Sequence, residues 1–343
     1  MKSRNADLRM LWLLFLLTAL TTAASIGFGA IDFTLSDMFA ALSRSFSDAS
    51  KLTLDQRIFM QLRLPRSILC LLVGACLGVG GTLMQALFRN PIVEPGLVGT
   101  SSGAAFGAAL FYVLGALLKV SMGEWALPFA ACAGGVISTY LVFALAHTRK
   151  EGRSSIMLLL LTGLAINALF ISGIGFLSYV ARDPQARSII YWNLGTLSGA
   201  NWHSVVVVGA TTIIGIVAAL FHAQPLNALM IGEQEATALG VNVKRLKWVV
   251  LSINVLMVAV ATAFTGVIGF VGLIVPHILR ILRGPDNRFL IAGSALLGGT
   301  LLSLADLVAR VSLRPAELPI GIVTSVVGVP VFLSLLRRRE YFF

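Results

Sequence analysis

The chain has 343 residues, of which 57% are hydrophobic and 12% are charged. Soluble domains carry roughly 25% charged residues, so this composition excludes a water-soluble protein of the same size. The formal charge of +11 is typical of membrane proteins that keep lysine and arginine in cytoplasmic loops. No cluster of basic and aromatic residues indicates a nucleic-acid partner.

Apolar runs recur along the chain and predict an all-α bundle of about ten transmembrane helices. The expected spans are residues 10–29, 66–86, 97–118, 125–146, 154–180, 189–221, 248–263, 269–282, 290–308 and 318–336. The first run follows basic residues as a signal peptide would, but its length favours a retained span. Gly195 and Gly199 predict a break near the start of the sixth run. Residues 1–343 are therefore expected to form a single transmembrane domain.

An even number of spans places both termini on one side of the membrane. With cytoplasmic termini, most of the 26 lysine and arginine residues fall in inner loops and tails, as the positive-inside rule requires. The long polar insertion at residues 222–247 then becomes a cytoplasmic loop.

Four segments punctuated by glycine or proline carry a family resemblance. They are RNPIVEPGLVGTSSG at residues 89–103, GEQEATALGV at 232–241, GFVGLIVPH at 269–277 and ELPIG at 317–321. In this order, and with this span count, the chain resembles the permease subunits of binding-protein-dependent ABC importers for iron chelates, haem and cobalamin. Its overall sequence resembles the haem permeases most.

The resemblance implies that the chain lies in the bacterial inner membrane. It also implies three kinds of partner: a second copy of the chain, two ATP-binding subunits and a periplasmic binding protein. The chain lacks the Gly-x4-Gly-Lys-Ser/Thr pattern of a Walker A loop, so ATP and magnesium are expected in the partner and no cofactor is bound permanently. The chain itself is therefore not expected to be an enzyme. The expected cargo is haem, with a ferric siderophore or cobalamin as alternatives.

Residues 232–240 read as a short helix within the polar insertion. Acidic residues in the first turn suit the helix dipole, and Gly240 is suited to end the helix. By resemblance this is the helix that docks on the ATPase. The residues expected to couple the two subunits are Glu233, Glu235, Ala236, Leu239 and Gly240. The alternative is an ordinary capped surface helix.

Three arginines are expected at the outer face: Arg63, Arg66 and Arg310. In the resembling family, arginines at these positions meet acidic residues of the binding protein, and such charge complementarity sets register and association rate. The alternative is anchoring of helix ends in the interface. Asp306 lies four residues before Arg310, a spacing that favours a helical ion pair over a proton relay.

By resemblance, the fifth and tenth spans line the transport pathway. The candidate pathway residues are Asn167, Phe170, Ser178, Tyr179, Arg182 and Arg187. The two arginines suit an anionic cargo such as the haem propionates, whereas plain helix packing is the alternative for each residue. His277 stands alone, and no metal site is expected.

Two other classes of protein remain open. An ion-coupled secondary transporter would need a carboxylate in mid-membrane, for which Asp306 is the obvious candidate, and often an internal repeat. An intramembrane enzyme is disfavoured because neither His-Glu-x-x-His nor Gly-x-Ser-x-Gly occurs.

Overall fold

The computed structural model describes residues 2–28, 53–118, 123–146, 156–313 and 316–337, together with residues 36, 38, 40, 41 and 43. Within these ranges the secondary structure is helical and contains no strand. The basic loop expected at residues 147–153 and the tail after residue 337 lie outside the described residues.

The helices follow one another with short connections. In chain order they are α1 (Lys2–Gly27), α2 (Leu54–Ile58), α3 (Leu64–Phe88), α4 (Thr100–Leu118), α5 (Ala126–Ala146), α6 (Ile156–Val180), α7 (Asp183–Asn193), α8 (Trp202–Phe221), α9 (Ala223–Ile231), α10 (Glu233–Ala238), α11 (Val243–Thr265), α12 (Val271–Arg283), α13 (Asn287–Val311) and α14 (Ile320–Arg337). A π-helical turn, Phe59–Arg63, joins α2 to α3, and a 3-10 turn, Pro95–Val98, precedes α4.

Ten helices occupy the ten predicted span positions. By length and composition, seven continuous helical segments could cross a membrane: α1, α2 joined to α3, α5, α6, α8, α11 and α13. The apolar parts of α4 and α14 are shorter. The all-α prediction is confirmed.

The eighth predicted span is only partly helical. Its helix, α12, has 13 residues and at 1.5 Å per residue reaches about 20 Å, short of a hydrocarbon core of about 30 Å. Irregular chain from Gly266 to Phe270 precedes it, and Phe270 has a left-handed backbone conformation, φ +68°. Residues 266–283 are almost continuously apolar, and such a run is compatible with either a helix or extended chain. The sequence alone therefore did not show where the helix begins.

The predicted break in the sixth run is confirmed. Helix α7 ends at Asn193 and α8 begins at Trp202. Gly195 lies between them with φ +71°, a conformation that side chains disfavour, and a Cβ atom there would also crowd the carbonyl of Val267.

Helix α3 is the centre of the bundle, with 83% of its most apolar stretch buried. Glycines let its backbone approach its neighbours: Gly74 meets Gly298 of α13, and a methyl group at Gly81 would collide with the carbonyl oxygen of Gly272. Small residues serve this purpose in membranes, where close backbone packing replaces the hydrophobic drive. Helices α3 and α13 therefore form one tightly packed pair.

The chain turns back on itself after α3. Arg89 ends this helix in a left-handed conformation, φ 49°, yet Pro95 packs against Gly80 and Gly272. The Pro95–Val98 turn therefore lies beside the middle of the bundle rather than beyond its end. The third span, predicted from residue 97, begins as this turn and becomes α-helical at Thr100.

Helix α6 is peripheral. Only 17% of its most apolar stretch is buried, compared with 61% for α11. Most of its surface is thus free to face lipid or another protein.

Candidate functional site

Candidate residues gather at the two ends of the bundle. We call the end that carries Asp7 and Arg283, which form an ion pair, the base. The end that carries Arg66 and Arg310 is called the top. Helix α9 lies at the base and buries Leu226 and Leu229 almost completely.

Helix α10, Glu233–Ala238, lies within the predicted residues 232–240. Gly240 follows it with φ +82°, and the amide of Val241 donates to the carbonyl of Ala236 at 3.0 Å. This six-residue hydrogen bond around a left-handed glycine is a common helix end. The carboxylate of Glu235 folds back over Gly232, where a Cβ atom would collide with it.

The predicted coupling residues differ in exposure. Glu235 is exposed, and so are Leu239 (67%) and Ile231 (70%). We call these three residues the coupling face. Ala236 is fully buried, so it supports the helix from inside rather than touching a partner. Glu233 forms an ion pair of 2.7 Å with Lys247 of α11.

A polar network joins α9 to the start of α13. Oδ1 of Asn227 accepts hydrogen bonds from both the backbone amide and Nδ2 of Asn287, each at 2.8 Å, and Nδ2 of Asn227 donates to Oδ1 of Asp286 at 2.8 Å. Asp286 also accepts from the amide of Arg288 at 3.0 Å and so caps α13. These contacts fasten the segment before α10 to a spanning helix.

Asp286 is ionised at neutral pH. Hydrogen bonds from the Arg288 side chain lower its pKa to about 2, although partial desolvation acts in the opposite direction. Because the folded-state pKa is depressed, the associated stability is complete above the ordinary aspartate pKa of about 3.9 and is lost as the pH falls through about 2.

An ionic cluster at the top joins three parts of the chain. Nε and Nη2 of Arg66 donate to Oδ1 of Asp306 at 3.1 and 2.9 Å. Nη1 of Arg66 donates to both carboxylate oxygens of Glu317, at 3.0 and 2.8 Å. Nε of Arg310 lies 2.9 Å from Oδ2 of Asp306, an ion pair that lacks the alignment of a hydrogen bond. The predicted Asp306–Arg310 pair is confirmed, and Arg66 completes it.

Further hydrogen bonds from Arg63 and Arg310 hold the end of α1. Nη1 of Arg63 donates to the carbonyls of Ile26 and Gly27 at 3.1 and 3.3 Å, and Nη2 of Arg310 donates to the carbonyl of Ser25 at 2.9 Å. Cations suit the carbonyl end of a helix. Arg63 is 9% exposed and Arg310 is 6% exposed. Of the three arginines, Arg66 has the most exposed partner, Glu317. Docking of the binding protein stays a prediction for all three.

Two of the predicted pathway residues pack inside the chain. The hydroxyl of Ser102 donates to Oδ1 of Asn167, joining α4 to α6. The ring of Phe170 lies 5.1 Å from that of Phe106, measured between centroids. These contacts favour the helix-packing alternative for Asn167 and Phe170.

The remaining pathway residues lie where α6 gives way to α7. Ser178 is half-buried, whereas Tyr179 is 88% exposed. Arg182 and Arg187 are exposed as well, and Tyr191 on α7 is 64% exposed. We call Tyr179, Arg182, Arg187 and Tyr191 the entry patch.

The comparisons with known proteins agree with this arrangement. The model of the FecCD transport family matches residues 16–338. The chain is a member of this family. It is 37% identical over 341 residues to the hemin transport system permease protein HmuU of Yersinia pestis, with 99% of each chain covered. It is 38% identical to the vitamin B12 import system permease protein BtuC of Escherichia coli, with 82% of this chain and 83% of that relative covered.

Solved structures give the same picture. A metal-chelate type ABC transporter in an inward-facing conformation matches with a TM-score of 0.82 and 31% identity, covering 96% of this chain and 99% of that one. PsaBC from Streptococcus pneumoniae, solved with a Fab, shares the fold at a TM-score of 0.56 and 17% identity, covering 86% of this chain and 95% of that one. The protein is thus a multi-pass permease of an ABC importer.

Sequence reasoning overlooked one partly buried carboxylate of the permease. Oε1 of Glu94 accepts a hydrogen bond of 2.8 Å from the backbone amide of Phe270, the residue immediately before α12. This bond gives the Phe270 amide a partner. Pro95, the next residue, packs beside Gly80, so this carboxylate lies well inside the bundle. Glu94 sits in a quoted motif, but only the return of the chain after α3 reveals its depth.

Three further contacts of the permease were not predicted. Lys247 as the partner of Glu233, Glu317 as the partner of Arg66 and the Asn227 network all join residues from different helices or loops. Among the described residues, no three His, Cys, Asp or Glu side chains lie close enough together to hold a metal ion.

Proposed function

We propose that this permease imports haem across the bacterial inner membrane, as one of two copies that work with two ATP-binding subunits and a periplasmic binding protein. The observation that carries the proposal is the 37% identity to a hemin permease over 99% of both chains. The seven long apolar helical segments support residence in a membrane.

The entry patch supports an anionic, aromatic cargo. Arg182 and Arg187 supply charge for the propionates of haem, and arginine is well suited to carboxylates. Tyr179 and Tyr191, in the same stretch of chain, expose aromatic surface. We therefore place the first cargo contact at this patch. Ser178 is the adjoining residue of α6, while Asn167 and Phe170 act by holding α6 against α4.

Cobalamin is the second candidate cargo, because the relative from Halobacterium salinarum, a cobalamin import system permease protein BtuC, is 41% identical over 285 residues. That match covers 83% of this chain and 74% of the relative, less than the hemin permease match covers. A ferric siderophore belongs to the same class of chelates.

We assign contact with the ATP-binding subunit, which drives transport, to the coupling face at the base. The apolar side chains of Ile231 and Leu239 are unfavourable in water and suit a protein partner, and the exposed carboxylate of Glu235 adds a charge that such a partner can recognise. Both chain termini, and with them the base, then lie in the cytoplasm, and the top lies in the periplasm.

An ion-coupled secondary transporter gains no support from Asp306. Two arginines lie 2.9 Å from this carboxylate, so it is engaged in the ionic cluster that joins α3 to α13.

The decisive experiment is uptake by proteoliposomes that contain the permease, its ATPase and its binding protein. Haem, a ferric siderophore and cobalamin are offered in parallel, with and without internal ATP. We expect ATP-dependent uptake of haem. ATP-dependent uptake of another chelate would replace the cargo and keep the importer, whereas uptake that follows an ion gradient and ignores ATP would refute the proposal.

Binding-protein docking gives a prediction that separates Arg66 from its partner. We expect Arg66→Gln to weaken capture of the loaded binding protein by about tenfold, because a charge that steers and fixes the partner is lost. Glu317→Gln should leave capture unchanged or strengthen it, since Nη1 of Arg66 loses its internal acceptor. Surface-binding measurements on nanodisc-held permease test both variants.

If both variants weaken capture equally, Arg66 acts by holding the loop before α14 and makes no direct contact with the binding protein. If neither changes capture, the docking assignment of Arg66 is wrong.

A further inference from the structure

Two polar attachments join α9 and α10 to the membrane helices. One is the ion pair between Glu233 and Lys247, whose side chains are 41% and 28% exposed. The other is Asn227, which holds Asp286 and Asn287 through three hydrogen bonds of 2.8 Å. Exposed ion pairs contribute little to stability, so the second attachment is the firmer one.

The Asn227 attachment has two features of a rigid joint. Asn287 is completely buried, and its backbone amide and side-chain amide both point at the same oxygen of Asn227. Asp286 is ionised at neutral pH, so the hydrogen bond from Nδ2 of Asn227 is charge-assisted. Helix α9 therefore cannot move away from the start of α13 without breaking three short hydrogen bonds.

Helix α13 continues this joint across the membrane. It is unbroken for 25 residues, about 37 Å at 1.5 Å per residue. Its middle is locked to α3 by the Gly74–Gly298 contact and by a hydrogen bond of 2.8 Å from Thr82 to Ser294. Its far end carries Asp306, which binds Arg66 in the cluster at the top.

We propose that Asn227 is the positioning residue through which movement of the coupling face is transmitted to α13, and through α13 to the ionic cluster at the top. The proposal rests on the function proposed above, in which the coupling face meets the ATPase. A close-packed helix pair moves as a body, so a displacement imposed on α9 reaches Asp306 without a chain of independent side-chain changes. The cluster at the top would in turn report binding-protein docking to the ATPase, because coupling between sites is reciprocal.

The test compares cargo transported per ATP hydrolysed in proteoliposomes of the complete importer, using whichever of haem, ferric siderophore and cobalamin the unaltered importer takes up. Asn227→Asp keeps the shape of the side chain, removes the donor to Asp286 and opposes two carboxylates. We expect co-purification with the ATPase to persist, because the coupling face is unchanged. We expect cargo per ATP, and stimulation of hydrolysis by the binding protein, to fall about fivefold or more.

Two further variants sharpen the result. Gln224→Glu adds the same charge to the exposed side of α9 and should leave cargo per ATP unchanged. Combining Asn227→Asp with Asp286→Asn removes the opposition of the two carboxylates and should restore part of the coupling lost in N227D, although Oδ1 of Asp286 also accepts the capping hydrogen bond from the amide of Arg288.

An unchanged ratio of cargo to ATP in N227D, with unaltered importer active, would overturn the role of Asn227 and leave the proposed function intact. An equal loss in Q224E would also overturn it, because the effect would then be one of charge alone. So would a failure of N227D to assemble that the Asp286→Asn exchange does not repair, since Asn227 would then be only a structural anchor. Uptake that needs no ATP in the unaltered protein would instead remove the proposed function itself.

Discussion

Asp306→Asn is expected to destabilise the folded permease by about 3–5 kcal/mol, the usual effect of removing one partner from a buried ion pair. Asp306 is completely buried, and the guanidinium groups of Arg66 and Arg310 both lie 2.9 Å from its carboxylate. Replacing the carboxylate by an amide leaves two positive charges facing each other in a site from which water is largely excluded. Thermal unfolding of the purified permease in one detergent measures the loss.

Two comparison variants identify the cause. Glu317→Gln removes the exposed partner of Arg66, whose side chain is 42% exposed, and should lower stability by less than about 1 kcal/mol. Asp306→Leu combined with Arg310→Met removes the buried pair as a whole and should be more stable than D306N, because Arg66 keeps Glu317 and no unpaired charge replaces the pair.

The fraction of D306N that folds should still perform ATP-driven uptake, because Asp306 carries no proton in the proposed mechanism. Normal stability with abolished uptake would reverse this assignment and revive a proton relay. Normal stability with normal uptake would show that the two arginines find other acceptors.

The sequence was sufficient for the bundle because the relevant signals are local. Apolar runs give the spans, and small residues such as Gly74 and Gly81 give the close crossings. Helix α10 was predictable for the same reason, since its acidic first turn and its final glycine lie within nine residues of each other. The half-length helix α12 was not, because apolar residues satisfy extended chain and helix equally in a buried position.

The candidate sites were predictable only where partners share a helix. Asp306 and Arg310 are four residues apart, so their pairing follows from helical geometry. Arg66 lies 240 residues from Asp306, and Asn227 lies 59 residues from Asp286. Nothing in the polar residues themselves identifies such partners, because the packing of α3, α9 and α13 brings them together. The contact of Glu94 with Phe270 follows likewise from the tertiary path of the chain.

Glu233→Lys combined with Glu235→Lys is expected to reduce co-purification of the ATPase with the permease by about tenfold or more. The exposed carboxylate of Glu235 changes sign on the coupling face, and reversal of a charge at an interface costs several kcal/mol when the partner is complementary. The permease should remain folded, since neither side chain is buried. Affinity purification of the two subunits at matched expression measures the effect.

The two carboxylates are expected to act differently, because only Glu233 has an internal partner. Glu233→Lys combined with Lys247→Glu restores an ion pair with reversed direction and should recover most of any loss caused by Glu233→Lys alone. Glu235→Lys alone should account for most of the lost assembly, and Gln224→Lys, which adds a positive charge to the exposed side of α9, should have little effect.

If the ATPase binds the double variant normally, α10 is an ordinary surface helix and the coupling face lies elsewhere on the base. If only the Glu233→Lys change weakens assembly, binding of the ATPase depends on the orientation of α10, which the ion pair with Lys247 sets, rather than on the charge of Glu235.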